Sequence, residues 1–355
     1  MTFIIHPNNL ENANICVEGR EGEFLMTFNH LRMLSDLSIL MTRGLSYIHP
    51  LGMVSDSKKL GFMLGTDNSK FRIILGQEFN ATIYRGQNAS HERFLPSFQR
   101  INFHEAAFEH CKNWIKREEF KRQFIETPYF KRLSTMNVLG STFDFDLDAI
   151  AQHYEFATDY LDITTNINIA MFFAYTYVED GRYVPITDFK KYHPKLYTAN
   201  FSIINPEAVK IVGFQSVLRP KNQMAMAIDM SKITNDKTLG FHEIDLPEEP
   251  EMARGIFNSF KGGSNLFPDE PMAFFQQQIR SKKTFDKEIF MDYCKCYKKD
   301  ENELEDLVIQ NEFSLKEESW EISEDIKRAI DIEITNFILP WIENNISFRG
   351  TCESA

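Results

Sequence analysis

Between Gln152 and Thr165 the chain crowds together Gln152, His153, Tyr154, Thr158, Asp159, Asp162, Thr164 and Thr165, just ahead of an apolar run from Ile167 to Tyr177. His153 can give or take a proton near neutral pH. Asp162 can hold negative charge against a cation that develops during a reaction. The hydroxyls and the amide can orient a polar ligand. A second candidate stands upstream at Tyr84-Arg85-Gly86-Gln87. An arginine at a strand end presents a rigid fork of donors that matches a phosphate or a carboxylate, and Gly86 lets the backbone turn sharply or approach a ligand closely. Each residue also has a plainer use. His153 and Asp162 can bond each other or the backbone, Tyr154 can be core with its hydroxyl satisfied, and Arg85 can sit in a surface ion pair.

The elements that must position these residues follow from hydrophobic period and punctuation. Phe71–Gly76 and Asn80–Arg85 read as two short strands joined by a turn, and Phe103–Phe130 carries a helical period. Asp148 is expected to cap a helix running through Tyr154 and stopping near Phe156-Ala157. A polar turn then spans Thr158–Thr165 and leads into a buried helix over Asn166–Tyr177, followed by a loop through Gly181–His193. Strands are expected at Leu196–Ile204, Val209–Gly213 and Gly240–Leu246, with another beyond Arg219 and Gln223. Helices follow at Met252–Phe260, closed by Gly262-Gly263, and at Met272–Arg280 behind Pro271. Near the N-terminus Phe24–Phe28 reads as a strand or helix start and His30–Met41 as a helix, with no functional signal. Strands mixed with helices, without βαβ alternation, predict an α+β fold: a mixed or antiparallel sheet core with flanking helices.

Composition shifts near Ser281 to a tail rich in Glu, Asp and Lys, with helical periods at Lys283–Tyr297, Glu301–Gln310 and Ser323–Asn344. The expected division is therefore a segment 1–70 packed on the core, a central domain 71–280, and an acidic helical extension 281–355. A net charge of -12 argues against non-specific binding of the whole surface to nucleic acid or anionic membrane. The basic residues Lys112 to Arg132 read as a solvated helix face or, more sharply, as a nucleic-acid or phosphate contact, which the interleaved glutamates disfavour. The five cysteines are scattered without a Cys-x-x-Cys pair, so neither a zinc site nor a disulfide framework is expected, and no other metal site stands out. Reduced thiols, no signal-like N-terminus and no long apolar window point to a cytoplasmic protein without a membrane span.

Taken together, Tyr84-Arg85-Gly86-Gln87, Leu95-Pro96-Ser97-Phe98-x-Arg100, Ala151-Gln152-His153-Tyr154, Thr158, Leu161-Asp162-x-Thr164, Ala170 and Phe173-Ala174 resemble the FRG domain family, with Leu266-Phe267-Pro268-Asp269 as a later feature. Two positions depart from that pattern: Glu155 where the family usually has glycine, and Ala157 where it usually has proline. A second, weaker resemblance is to ADP-ribosyltransferases, in which such an arginine contacts the phosphates of NAD, bound in the cleft of a split sheet. That resemblance implies an NAD-dependent transferase with Arg85 on the phosphates and His153 and Tyr154 on ribose or nicotinamide. Tyr84, Gly86, Gln87, Gln152, Thr158, Thr164 and Gln223 would line the NAD pocket. Such enzymes need a carboxylate from a later strand. Gln223 cannot carry the charge, which leaves Glu243 or Asp245, or else Asp162. The acceptor would be nucleic acid or protein, and an intracellular toxin or phage-defence effector of this kind would need a neutralising partner protein. The alternative is a non-enzymatic module that binds a nucleotide or a partner and signals through its acidic C-terminal helices.

Overall fold

The computed structural model describes residues 82–90, 93–101, 106–135, 137–138, 141–200, 203–205, 207–317 and 321–339. It also describes the strands at 3–5, 15–17, 24–26, 49–56, 59–66 and 70–75. The helix expected over His30–Met41 and the end of the last expected helix lie outside the described residues. Phe24–Met26 is a strand, β3, which closes a small antiparallel sheet with β1 (Phe3–Ile5) and β2 (Ile15–Val17).

Two larger sheets follow. β4 (His49–Asp56), β5 (Lys59–Thr66) and β6 (Lys70–Leu75) form an antiparallel meander. β7 (Thr82–Gln87) does not pair with β6, as two strands joined by a turn would; it starts the second sheet. The meander is instead completed by β8 (Asn137–Val138) and β9 (Ser141–Phe143), β9 running parallel to β6. The acid–apolar alternation after Thr142 is explained here. Phe143 is buried and Phe145 packs on the same cluster, while Asp144 and Asp146 hold Arg72 at 2.7 and 3.6 Å. Asp146, not Asp148, caps the helix Leu147–His153, its carboxylate accepting from the Ala149 N–H at 3.0 Å.

β10 (Tyr160–Thr164) stands where a polar turn was expected. Buried Leu161 and Ile163 flank exposed Asp162, so the period-2 alternation of a strand hides within a polar-looking stretch. The next two strands form a hairpin, β11 (Thr176–Glu179) and β12 (Arg182–Pro185). Asp180 and Gly181 turn it with φ of 48° and 76°, the left-handed pair of a tight hairpin turn, in place of the expected loop. β13 (Lys195–Asn200), β14 (Val209–Ile211), β15 (Ala225–Asp229) and β16 (His242–Asp245) complete the second sheet. Its order is β14-β15-β10-β7-β13-β16, and every pairing is antiparallel. The fold is α+β, as the mixture of strands and helices predicts. A parallel pair, β17 (Thr284–Asp286) and β18 (Ser314–Lys316), lies among the C-terminal helices.

The helix Ile167–Tyr175, capped by Asn166, lies directly on β7. Gly86 is in mid-strand with Gln87 continuing the ladder, so it makes no turn. A Cβ built on it would stand 1.7 Å from the carbonyl oxygen of Ala170 and 2.8 Å from the amide nitrogen of Ala174. The close approach that this glycine permits is of helix backbone to strand backbone.

Core packing crosses residue 281. Phe120, Tyr154, Phe156 and Phe275 share one cluster with Ile326, Ile330 and Ile334 of the last helix. Ile115 on the long helix Ala107–Phe124 shares another with Phe285, Tyr293 and Val308. Behind the second sheet a buried acid ties three segments together. Glu270, 2% exposed, accepts the Tyr154 hydroxyl at 2.6 Å and the Leu218 N–H at 3.2 Å, with Arg219 Nε 3.8 Å away. Burial pushes its carboxyl up to about 7, against those two hydrogen bonds; Glu333 adds to the rise and Arg219 opposes it.

Two stability measurements follow from this packing. Gly86→Ala must separate helix from strand, and overpacking of this kind costs about 1–3 kcal/mol or more, read as a lower urea midpoint; an unchanged midpoint would refute the contact. For Glu270, an unfolded glutamate titrates near 4.3, so between about pH 4.3 and 7 the folded chain keeps a proton that the unfolded chain has lost. The stability from this group is full below that window and is lost as pH rises through it. The difference between wild type and Glu270→Gln should show a decline of about 2–4 kcal/mol across the window. A flat difference curve would assign the buried proton elsewhere.

Candidate functional site

A cleft of about 460 Å³ opens between β7, β10, the helix Ile167–Tyr175 and the β11–β12 hairpin. That volume is within the range of small-ligand pockets. Aromatic rings build one side: Phe173, Tyr177, Tyr183 and Phe267 line it, with Tyr183 stacked on Phe267 at 4.7 Å.

Arg85 enters the cleft from β7. Its Nη1 donates to the Asp162 carbonyl at 2.6 Å across the neighbouring strand, while its Nε is sealed from solvent and has no partner among the described residues. Burial lowers its pKa, opposed by Asp162 and reinforced by Arg100. A guanidinium nonetheless stays charged at any physiological pH. Arg100 lines the same cleft, and among the described residues neither guanidinium has a carboxylate in ion-pair contact. Tyr84 pairs in register with Thr164 on one side and Thr198 on the other, which places Gly86 and Gln87 along the same cleft edge.

The stretch 152–164 contributes from two elements. Gln152, at the end of its helix, takes the Thr158 hydroxyl on its carbonyl oxygen and donates its amide to the Asp162 carboxylate. Asp162 is exposed to the cleft. His153 is buried, and its Nδ1 meets Gln223 Oε1 at 3.0 Å. Burial lowers the imidazole pKa, against the opposing pull of Asp162 and of the Gln223 bond. Gln223 is held in turn. Its Nε2 donates to the Leu266 carbonyl at 3.2 Å and its own carbonyl accepts the Thr164 hydroxyl at 3.0 Å. The following residue, Met224, adopts φ 44°, a left-handed kink that swings the chain from the helix Leu218–Asn222 into β15.

Of the residues singled out from sequence, Tyr84, Arg85, Gly86, Gln87, Gln152, His153, Asp162, Thr164 and Gln223 all line this one cleft. Four candidates do not. Tyr154 is wholly buried with its hydroxyl on Glu270. Thr158 is buried and bonds to the cleft only through Gln152. Glu243 sits on the edge strand β16, in register with Tyr197 and ion-paired to Lys195 at 2.9 Å, a contact that holds its carboxyl below the usual range. Asp245 binds the same lysine.

Sequence reasoning gave no role to several residues that the fold brings in. Arg100 was visible only as the end of Leu95–Arg100. Arg219 is sandwiched between the rings of Tyr154 and Phe267, at 4.8 and 5.7 Å, and donates to the His153 carbonyl at 3.2 Å. Glu155, at φ 65°, occupies a left-handed conformation where the family pattern has glycine, and pairs with Arg280. Leu266 and Phe267 reach the site from the late motif. A second cavity of about 330 Å³ shares Arg85, Arg100, Gln152, Glu155 and Asp162 with the cleft and adds Ser97, Asn113 and Tyr160. Those shared residues form a ridge with a space on each side.

Among the described residues no helix is long and apolar enough to cross a membrane, and no group of three His, Cys, Asp or Glu side chains could hold a metal ion. No curated protein and no solved structure matches the chain. The family model of the FRG domain matches residues 80–182, under a third of the chain, a span that holds β7, β10, the helix Ile167–Tyr175 and the start of the hairpin. Residues 80–182 are an FRG domain, and the cleft is built chiefly from it.

Proposed function

We propose that the cleft takes NAD as substrate and that the protein is an ADP-ribosyltransferase-like enzyme. The observation that carries this reading is the pair Arg85 and Arg100, two guanidiniums on one cleft with no carboxylate in ion-pair contact among the described residues, one with a sealed Nε that has no partner among them. A diphosphate is one biological group that answers two guanidiniums on one cleft. The aromatic side formed by Phe173, Tyr177 and Tyr183 suits a planar ring, nicotinamide or adenine. Asp162 is the carboxylate best placed to face a ribosyl cation. Of the two acidic side chains lining the cleft, Glu155 is tied to Arg280, whereas Asp162 takes the Gln152 amide and has no cation in ion-pair contact among the described residues. Glu243 and Asp245 are neutralised by Lys195 outside the cleft. The cavity across the ridge leaves room for an acceptor, nucleic acid or protein. Transfer onto such an acceptor inside a cell would make the protein a toxin or phage-defence effector and call for a neutralising partner.

One observation favours a second reading, a nucleotide-binding module without turnover. The buried position beside His153 holds the neutral amide of Gln223 rather than an acid. Calorimetry with NAD and an assay of nicotinamide release separate the two readings. The enzyme reading expects both binding and release. It expects Asp162→Asn to lower the rate about 10²–10³-fold with binding kept. Arg85→Ala should weaken NAD binding about 10–100-fold, the loss of a charge-assisted contact or two, while the chain stays folded by circular dichroism. Binding without release by the wild type would leave the module reading, and no binding would sink both.

A further inference from the structure

We infer that Gln223 is a positioning residue that fixes His153 in one neutral tautomer, with a bare Nε2 serving the cleft as proton acceptor. The argument is one of hydrogen-bond direction. The Leu266 carbonyl can only accept, so the atom of Gln223 that meets it at 3.2 Å must be the amide nitrogen. The other end of that amide, Oε1, then faces His153 Nδ1 at 3.0 Å and can only accept as well. Nδ1 therefore carries the ring hydrogen. Among the described residues nothing bonds to Nε2, and His153 lines the cleft.

The surroundings keep the ring neutral. It is 8% exposed, and burial disfavours the imidazolium. The charged groups that bear on it are Asp162 from β10, Asp146 from the start of its own helix and Arg219 from the helix Leu218–Asn222. Arg219 also anchors the His153 carbonyl, so backbone and ring are fixed from one side. A neutral imidazole with its far nitrogen held leaves one lone pair for a proton in the cleft, the arrangement by which an orienting partner prepares a general base.

On the NAD reading, which this step rests on, the chemistry balances. The bond from ribose C1′ to the nicotinamide nitrogen breaks, and its electron pair leaves with neutral nicotinamide. An acceptor O–H, water or a hydroxyl, forms the new C1′–O bond and passes its proton to His153 Nε2, which then releases it to solvent.

The test uses the full chain labelled with ¹⁵N-histidine. Long-range proton–nitrogen spectra distinguish a protonated ring nitrogen from a bare one, and His153→Gln identifies the His153 signals among the nine histidines by their loss. The expected wild-type pattern near pH 7.5 is a protonated Nδ1 and a bare Nε2. Gln223→Leu, which keeps the volume and removes the acceptor, should give a mixture of tautomers. A wild-type Nε2–H form, or an imidazolium, overturns the inference whatever the activity. In the nicotinamide assay His153→Gln should lower kcat about 10²–10⁴-fold and abolish the acid limb of the pH profile. Gln223→Glu, still an acceptor but now charged, should move that limb to higher pH with KM little changed. The expected tautomer together with an unchanged acid limb in His153→Gln would overturn the base role alone. NAD binding without nicotinamide release by the wild type would overturn that role together with the enzyme reading.

Discussion

The backbone of one helix resting on the backbone of one strand sets most of what this fold can do. Because Gly86 has no side chain, the carbonyl of Ala170 descends to a distance that any Cβ would forbid. Helix Ile167–Tyr175 consequently lies against the central strand of the six-stranded sheet, and its far end feeds straight into the β11–β12 hairpin. The same contact makes one side of the cleft: Ala170 and Phe173 come from the helix, Thr176 and Tyr177 from the strand that follows, and Arg85 from the residue next to Gly86. Widening that contact by the size of a methyl group would carry the aromatic side away from the arginine. The tyrosine–arginine–glycine signature is thus two devices in adjacent positions, a charge in the cleft and a gap for the helix.

Behind the cleft a polar layer does the work that apolar packing does elsewhere. Arg219 lies between two aromatic faces, and its guanidinium reaches the His153 carbonyl and approaches Glu270. Glu270 in turn gathers Tyr154 and the first turn of the helix Leu218–Asn222. Burying such a set is costly unless its bonds are met. What it confers is direction, since hydrogen bonds fix angles that hydrophobic contacts leave loose. The loop Leu266–Glu270 supplies three parts of this layer: a carbonyl for Gln223, a ring for Arg219 and a carboxylate for Tyr154. Arg219, Gln223 and this loop lie outside residues 80–182, so the FRG span builds most of the cleft while later segments hold its floor in place.

The sequence carried a good part of this, unevenly. That Arg85 and the 152–164 stretch would meet was legible through the family resemblance, which assigns both blocks to one site; residue types alone suited a surface ion pair for Arg85 equally well. The class of fold was legible from the mixture of periods. β10 was not, because Asp162 and the neighbouring threonines make a strand look like a turn when only polarity is weighed; alternation of burial, which sequence shows weakly over five residues, is what defines it. The pairing partner of β7 was not legible either. Strand neighbours are chosen by long-range packing, and the nearest strand in sequence belongs to another sheet. Tyr154 and Thr158 share the block and its polarity, yet both are buried: Tyr154 is held by Glu270, more than a hundred residues away, and Thr158 by the side chain of Gln152. Glu155 was noticed as a departure from glycine, and its left-handed φ shows the physical demand behind that position.

Charge distribution gives the last constraint. The chain is acidic overall, yet the cleft presents two guanidiniums without ion-pair partners among the described residues, while arginines elsewhere, such as Arg72, Arg122 and Arg132, are matched with carboxylates. An acidic surface repels anions in general, which disfavours casual occupation by nucleic acid. A pair of unmatched guanidiniums in a low-dielectric cleft acts only at short range, once a ligand is small enough to enter and carries enough charge to repay its lost hydration. On the proposed NAD reading, those two conditions together favour a compact anion carrying two charges. Asp162 and Glu155 on the same ridge add charge of the opposite sign, and on that reading they turn away a ligand that is anionic along its whole length while leaving one with an uncharged or cationic part beside its phosphates.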